Sequence, residues 1–275
     1  MGVLETLHLR KPKPAVAVVR LAGVIGARPG TLQTGGITAA AFIRPLERAF
    51  TMKGVVAVAL AINSPGGAPA QSSLIVKRIR SLATEHGLPV FAFAEDVAAS
   101  GGYMLACAAD EIYADDTSIV GSIGVISAGF GFPELLKKAG IERRVYTAGE
   151  SKGMLDPFQP EKLDDVEHLK ELQRDVHDAF KELVRERRAG KLKASEDELF
   201  TGAFWTGRRA LTLGLVDGIG ELTDVMKVRF GEKIRFRPVG IRESWLRRRL
   251  GIEHRLVDGI FAAIEDRLWW SRFGL

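Results

Sequence analysis

Pro89-Val-Phe-Ala-Phe-Ala94, Ala98-Ala99-Ser100-Gly101-Gly102-Tyr103 and Met104-Leu-Ala-Cys-Ala-Ala109 form the stretch that decides the fold. Its first piece is a short apolar run and reads as a buried strand. Its last piece reads as a buried helix, so Ser100 stands at a strand-to-helix turn. There the hydroxyl and the N–H of Ser100 can face a ligand at the positive end of a helix. A serine in that place is also an ordinary helix N-cap. Two glycines in a first helical turn cost roughly 1 kcal/mol each relative to alanine. Close approach of a substrate backbone is one compensation for them.

The same unit recurs upstream. Val55-Val-Ala-Val-Ala-Leu-Ala-Ile62 is a continuous apolar run, as expected of a strand covered on both faces. It ends in the turn Asn63-Ser64-Pro65-Gly66-Gly67, and a helix follows from Pro69 to about Thr84. Before it, Ala15 to Ala22 reads as a strand, residues 26–37 as a Gly- and Pro-rich loop, and Ala39 to Phe50 as a helix. This alternation of strand, Gly-rich turn and helix predicts an α/β fold of repeated units.

Downstream, Val120-Gly121-Ser122-Ile123-Gly124-Val125-Ile126 reads as another buried, glycine-punctuated segment. Glu142 to Thr147 is expected to be a strand and Ala148 to Gly153 a loop. A long helix is expected from Glu161 to Ala189, with Leu163, Val166, Leu169, Leu172, Val176, Phe180 and Leu183 as one apolar stripe. A short helix ends near Gly214, and Leu215 to Gly220 turns back to the core. The chain divides into a flexible lead-in (1–14), an α/β domain (15–240) and a tail (241–275). The tail has consecutive Arg247, Arg248 and Arg249, and a ladder of Leu256, Ile260, Ile264 and Leu268 before Trp269 and Trp270. It reads as a basic amphipathic helix. Such a helix docks on its own domain or a neighbouring subunit, or lies on an anionic membrane surface.

The bulk composition narrows the functional classes. With 275 residues, 46% of them hydrophobic, the chain can bury a sizeable core. A net charge of +5 is mildly basic, but no basic run is interleaved with aromatics in a known module, so nucleic acid is not an expected partner. The single cysteine, Cys107, rules out an intramolecular disulfide and speaks against a cysteine zinc site; its apolar surroundings predict inert core packing. No segment has the ~18 consecutive apolar residues of a membrane span, and the polar start lacks the core of a secretory signal. The expected compartment is the cytoplasm, with peripheral membrane contact through the tail as a second reading. No metal and no cofactor is expected.

The two Gly-rich turns each end a buried strand and open a helix. An N–H from Gly66 or Gly67, with one from Ser100 or Gly101, would stabilise an oxyanion; one such donor is typically worth about 3 kcal/mol of transition-state stabilisation. By itself Ser64-Pro65-Gly66-Gly67 is also a plain turn. A serine nucleophile needs a base. His8, His86, His168, His177 and His254 all read as surface residues, and none follows a buried strand or lies in a Gly-rich turn. Lysine is the other base, provided desolvation or a nearby cation lowers its pKa from ~10.4. Chemistry alone does not select one. Lys152 lies in a small-residue loop that permits burial, and a solvated loop lysine is the alternative.

Taken together and in order, these pieces resemble the signal peptide peptidase A family of serine peptidases, relatives of the Clp protease and crotonase fold. The resemblance runs from about Val16 to Gly220. Asn63 to Gly67 resembles its oxyanion turn, Ala99 to Tyr103 its nucleophile turn, and Val120 to Val125 the segment whose serine supports the base. Gly149-Glu-Ser-Lys-Gly-Met-Leu-Asp-Pro-Phe158 resembles the segment carrying the base. Trp205 to Asp217 resembles the closing helix and turn. The resemblance implies a Clp/crotonase-like fold with Ser100 as nucleophile, Lys152 as general base and Ser122 hydrogen-bonding the lysine. It implies an oxyanion hole from the N–H groups of Gly67 and Ser100, with Gly66 the lesser candidate.

It further implies cleavage of hydrophobic peptides, remnant signal peptides among them, in a homo-oligomer whose neighbouring subunits share active sites. Known members carry an N-terminal transmembrane anchor that this sequence does not show, and the tail would substitute for it. Two other activities fit the same turns. One is a crotonase-type acyl-CoA enzyme, which usually uses an acidic residue, although Glu95 and Asp96 near the turn point to no clear pair; the other is a non-catalytic scaffold on a membrane surface.

Overall fold

The structure is a computed structural model, and it describes residues 13–26, 36–241 and 270–274. The lead-in up to residue 12 and the tail from 242 to 269, with its arginine triplet and apolar ladder, lie outside the described residues. The strands are β1 (Ala15–Ala22), β2 (Val55–Ser64), β3 (Val90–Ala99), β4 (Glu111–Ala114), β5 (Ile119–Gly121), β6 (Phe204–Thr206), β7 (Gly218–Ile219) and β8 (Arg235–Val239). The helices are α1 (Ala39–Thr51), α2 (Pro69–His86), α3 (Gly101–Ala106), α4 (Pro133–Lys138), α5 (Leu163–Arg187), α6 (Glu196–Leu199), α7 (Gly207–Leu213) and α8 (Leu222–Phe230).

One sheet joins these strands in the order β6-β5-β3-β2-β1-β8, with β4 branching from β3 to β7. All pairings are parallel except β5 with β6. Parallel strands connected through helices bury both faces, which accounts for the unbroken apolar runs of β2 and β3. On one face Val19, Leu60 and Ala92 pack against Phe42, Ile75, Ile79 and Leu105 of α1, α2 and α3. On the other, Val16, Ala57, Ala59 and Phe91 pack against Met226 of α8.

The strand β3 is longer than its apolar run, because it pairs twice. Phe91–Ala94 pair with β4, and Val97–Ala99 pair with β5. Its register against β2 shifts between Ile62 and Ser64. The Asn63 side chain bridges that irregularity: its Nδ2 donates to Asp96 Oδ2 at 2.6 Å, and its Oδ1 accepts from the Val97 N–H at 3.3 Å. The expected loop at 26–37 lies partly outside the described residues, but its ends are joined by the Ile25–Ile37 bridge.

Two expectations need correction. Glu142 to Thr147 is not a strand: it is irregular and exposed, and no other segment among the described residues offers it a ladder. The segment after Ser122 leaves the core early, and Ile126 is 60% exposed. From there to about Leu172 the chain forms a projecting arm. The arm is ordered from within: Phe132 stacks obliquely on Phe158 at 5.6 Å, Arg143 lies over Phe158 and pairs with Asp156, and the Phe132 N–H donates to Pro157 O at 2.6 Å. Of the expected stripe of α5 only Phe180 is fully buried, with Val184 outside the stripe buried beside it, whereas Leu163 and Leu172 are exposed.

Candidate active site

The strand β3 ends at Ala99, and the chain reverses sharply at Ser100, whose φ is +53° and ψ −122°. Among the described residues only Ser100, Ser122 and Leu155 combine a side chain with positive φ. Such backbone costs on the order of 1–3 kcal/mol and persists where the surroundings over-determine it. Two of the three are predicted site residues, and the third lies in the segment proposed to carry the base. Ser100 is half-buried and its hydroxyl caps nothing.

The turn Asn63–Gly67 lies directly against the Ser100 turn. A Cβ placed on Gly66 would stand 2.8 Å from the Ser100 Cβ and 2.9 Å from the Gly101 nitrogen, so only glycine lets the two turns meet. Ile25 holds the first turn in place. Its N–H donates to Gly66 O at 2.7 Å, and its carbonyl accepts from the Ala68 N–H at 2.8 Å. Gly67 lies between those bonds, its nitrogen 3.4 Å from where a Gly101 Cβ would be. The Gly66 N–H is occupied by Ser64 Oγ at 3.2 Å. Neither the Gly67 nor the Gly101 N–H has an acceptor among the described residues.

The Ser100 amide differs from expectation. It donates to Gly121 O at 2.8 Å, as part of the β3–β5 register that pairs Ala99 with Gly121. It is therefore turned into the sheet rather than toward a substrate carbonyl. The free pair beside the hydroxyl is Gly67 and Gly101. Gly101 was one of the two candidates left open by chemistry, and its signal was its place in the first turn of a helix, where N–H groups lack partners.

The glycines after Ser100 also serve a different purpose from the expected one. A Cβ on Gly102 would stand 2.5 Å from Ser64 O, and one on Gly101 2.6 Å from Ser72 Oγ. They make room for the protein's own neighbouring turn and helix. Behind them Tyr103 is fully buried and its hydroxyl donates to Leu215 O at 2.7 Å, fastening α3 to the closing turn. Cys107, also buried, has its thiol pushed up to about 12 by burial, so it packs as an inert thiol.

Ser122 stands one residue beyond Gly121, as Ser100 stands one beyond its partner Ala99. It is buried, its N–H donates to Ala203 O at 2.7 Å, and its hydroxyl has no partner among the described residues. The structure thus brings Ser100, Ser122, Gly66, Gly67 and Gly101 to one end of the sheet. Lys152 is not brought to them. It lies in a 3-10 turn (Glu150–Gly153) of the projecting arm, exposed, with no hydrogen bond or ion pair of its side chain to any described residue.

Among the described histidines, His177 has its Nε2 3.2 Å from the Ile123 carbonyl oxygen and steadies the segment after Ser122. The carboxylates near the turn are both engaged, Glu95 by Arg20 at 2.8 Å and Asp96 by Asn63. An acyl-CoA chemistry that needs a free acid at this turn therefore lacks one among them. Among the described residues no helix is long and apolar enough to cross a membrane.

Known proteins are similar to this chain over much of its length. The whole chain is 49% identical over 290 aligned positions to a Brucella abortus protein named Na(+)/H(+) antiporter NhaA, matching 39% of that protein's length. The chloroplastic serine protease SPPA of Arabidopsis thaliana is 31% identical over 226 positions, covering 81% of this chain and 33% of its own. Protease 4 of Haemophilus influenzae is 32% identical over 222 positions, covering 77% and 34%. The chain thus spans about a third to two fifths of these relatives. Among solved structures, a variant of the 1510-N membrane-bound stomatin-specific protease superposes with a TM-score of 0.50 at 17% identity, over 84% of this chain and 99% of that one. That likeness supports the Clp-like fold. The model of peptidase family S49 matches residues 83–232, more than half of the sequence and inclusive of Ser100, Ser122 and Lys152, and the chain belongs to that family.

Proposed function

We propose that the chain is a serine endopeptidase in which Ser100 is the nucleophile and Lys152 of a neighbouring copy is its base. The observation that carries this reading is Ser100 itself. It has a sharply turned backbone, a hydroxyl free of other duties, and two unengaged amides beside it.

In the reaction, Lys152 Nζ accepts the Ser100 hydroxyl proton as Oγ attacks a peptide carbonyl carbon. The carbonyl oxygen takes up the electron pair and is held by the Gly67 and Gly101 N–H groups. Collapse breaks the C–N bond, and the proton passes from Lys152 to the leaving amine. Water, deprotonated by the same lysine, then releases the acyl group from Ser100. Ser122 orients the lysine. A lysine serves as base only when desolvated or set beside another cation. Lys152 is exposed among the described residues, which favours cover from a second copy. The apolar residues flanking these segments, Ile126 and Phe130 among them, favour apolar peptide side chains.

The test is complementation with an apolar fluorogenic peptide. Ser100→Ala and Lys152→Ala should each abolish cleavage. Refolded together they should recover about a quarter of wild-type activity, since a heterologous contact then joins an intact serine to an intact lysine at about one site in four. Wild-type activity in either single variant refutes the dyad. Inactivity of the mixture refutes sharing between copies. A fluorophosphonate adduct located on Ser100 by mass spectrometry establishes the nucleophile independently.

A further inference from the structure

We infer that Phe273 is a positioning residue for the active site. From the face of the sheet opposite α3 it holds together the ends of β3, β5 and β6, and through them the backbones of Ser100 and Ser122. The inference rests on the reading of Ser100 as nucleophile. Each serine is fixed by one carbonyl of a neighbouring segment. The Ser100 N–H donates to Gly121 O at 2.8 Å, and the Ser122 N–H to Ala203 O at 2.7 Å. Gly121 ends β5, and Ala203 immediately precedes β6.

Those two strands are weak supports by themselves. Each has three residues, and β6 is the outer strand of the sheet. β5 meets β3 only from Ile119 to Gly121. Short ladders at a sheet margin open locally unless side chains pack across them.

The packing comes from both faces. Ala98 and Val120 belong to the large core together with Tyr103 and Leu105. Successive strand residues point to opposite faces, so Val97 and Ala99 look the other way. There both are fully buried in a separate small cluster, whose third buried member is Phe273 and whose flanks are Ile119 and Trp270. The Phe273 ring also meets Phe204 of β6 edge-on at 5.1 Å. One side chain, only 8% exposed, therefore gathers three strands beside the two serines. Ala99 precedes Ser100, while Phe204 follows Ala203 and pairs with Gly121. Without the ring, Val97, Ala99 and Phe204 lose their shared partner, and the two carbonyls are free to drift from the serines they hold. A misplacement of about 1 Å at a reacting group costs on the order of a hundredfold in rate.

The experiment compares Phe273→Ala and Phe273→Leu with the unmodified full chain. In Phe273→Ala, backbone hydrogen exchange read by mass spectrometry should speed up roughly tenfold or more in peptides covering 97–101 and 119–123, with β1 and β2 unchanged. Phe273→Leu, which keeps an apolar side chain in the cluster, should restore most of that protection. On an apolar fluorogenic peptide, kcat of Phe273→Ala should fall roughly tenfold or more while KM moves less than about twofold, and Phe273→Leu should recover most of the loss. Unchanged exchange overturns the proposal, and so does faster exchange spread evenly over the chain, which is general destabilisation. Faster local exchange with a wild-type kcat removes the positioning role. An unmodified chain that neither cleaves the peptide nor takes a fluorophosphonate on Ser100 sinks the nucleophile reading instead, and the exchange comparison then decides by itself whether Phe273 holds the two turns.

Discussion

Gly102 has no freedom to become anything else. Its missing side chain is the space occupied by the Ser64 carbonyl, 2.5 Å from where a Cβ would be. Gly102→Ala should therefore lower stability by about 1–3 kcal/mol, the range for forcing volume into a packed site. The shift of the urea midpoint measures it, and an unchanged midpoint would show that the two turns are not in contact. At this scale the residue types were legible: a serine and paired glycines between a strand and a helix announce a tight turn with free amides. Which amide stays free was not. The Ser100 N–H is consumed by Gly121, twenty-one positions on, through a register that no local pattern specifies.

Among the elements, α5 is held to the core near its C-terminal end, by Phe180 and Val184 and by an ionic clasp just beyond the helix. Arg188, 2% exposed, donates to Gly214 O at 2.8 and 3.1 Å and to Asp217 Oδ2 at 2.6 Å; Lys191 reaches Asp217 Oδ1 at 2.9 Å. Burial works against the Asp217 carboxylate, but the bonds from Arg188 and Lys191 outweigh it and hold its pKa below the ordinary value. Its contribution to stability is thus complete above about pH 4, the unfolded-chain value, and fades as the pH falls through the lower folded value. Asp217→Asn should flatten the acid limb of a stability–pH curve and leave Arg188 buried without its counter-ion. Arg188→Ala should cost about 3–5 kcal/mol at neutral pH, the usual result of breaking a buried pair from one side. Thermal unfolding between pH 3 and pH 7 reads both. The helix itself was plain from its apolar spacing. That only Phe180 and Val184 would be buried was not, because spacing reports which face is apolar and says nothing of whether a neighbour meets it.

The whole molecule presents its apolar surface unevenly. Phe130 and Tyr146 are 81% and 90% exposed, and Ile126, Leu135, Ile141 and Leu163 are exposed on the same arm. Six exposed large apolar residues on one arm point to an interaction site. The family reading makes the partner another copy, which would bring Lys152 to a neighbour's Ser100. Phe130→Asp with Tyr146→Asp should reduce the assembly to monomers in sedimentation velocity and abolish peptide cleavage, with circular dichroism unchanged. An intact assembly in that variant would remove the arm from the interface. The strand expected at Glu142 to Thr147 belongs to the same explanation. Val145 and Tyr146 have the composition of a strand, yet a strand needs a ladder partner, and the described residues supply none to the arm.

The pairing of β1 with β8 has a consequence for how such a chain is built into larger ones. Ala15 lies opposite Arg235, so the sheet's first and last strands are neighbours and run the same way. Entry at Ala15 and exit at Val239 are separated by little more than one strand's length, about 16 Å for five residues. A sheet whose first and last strands meet so closely can sit as an insert within a longer polypeptide without being unthreaded, provided that Trp270 and Phe273 still reach Val97 and Ala99.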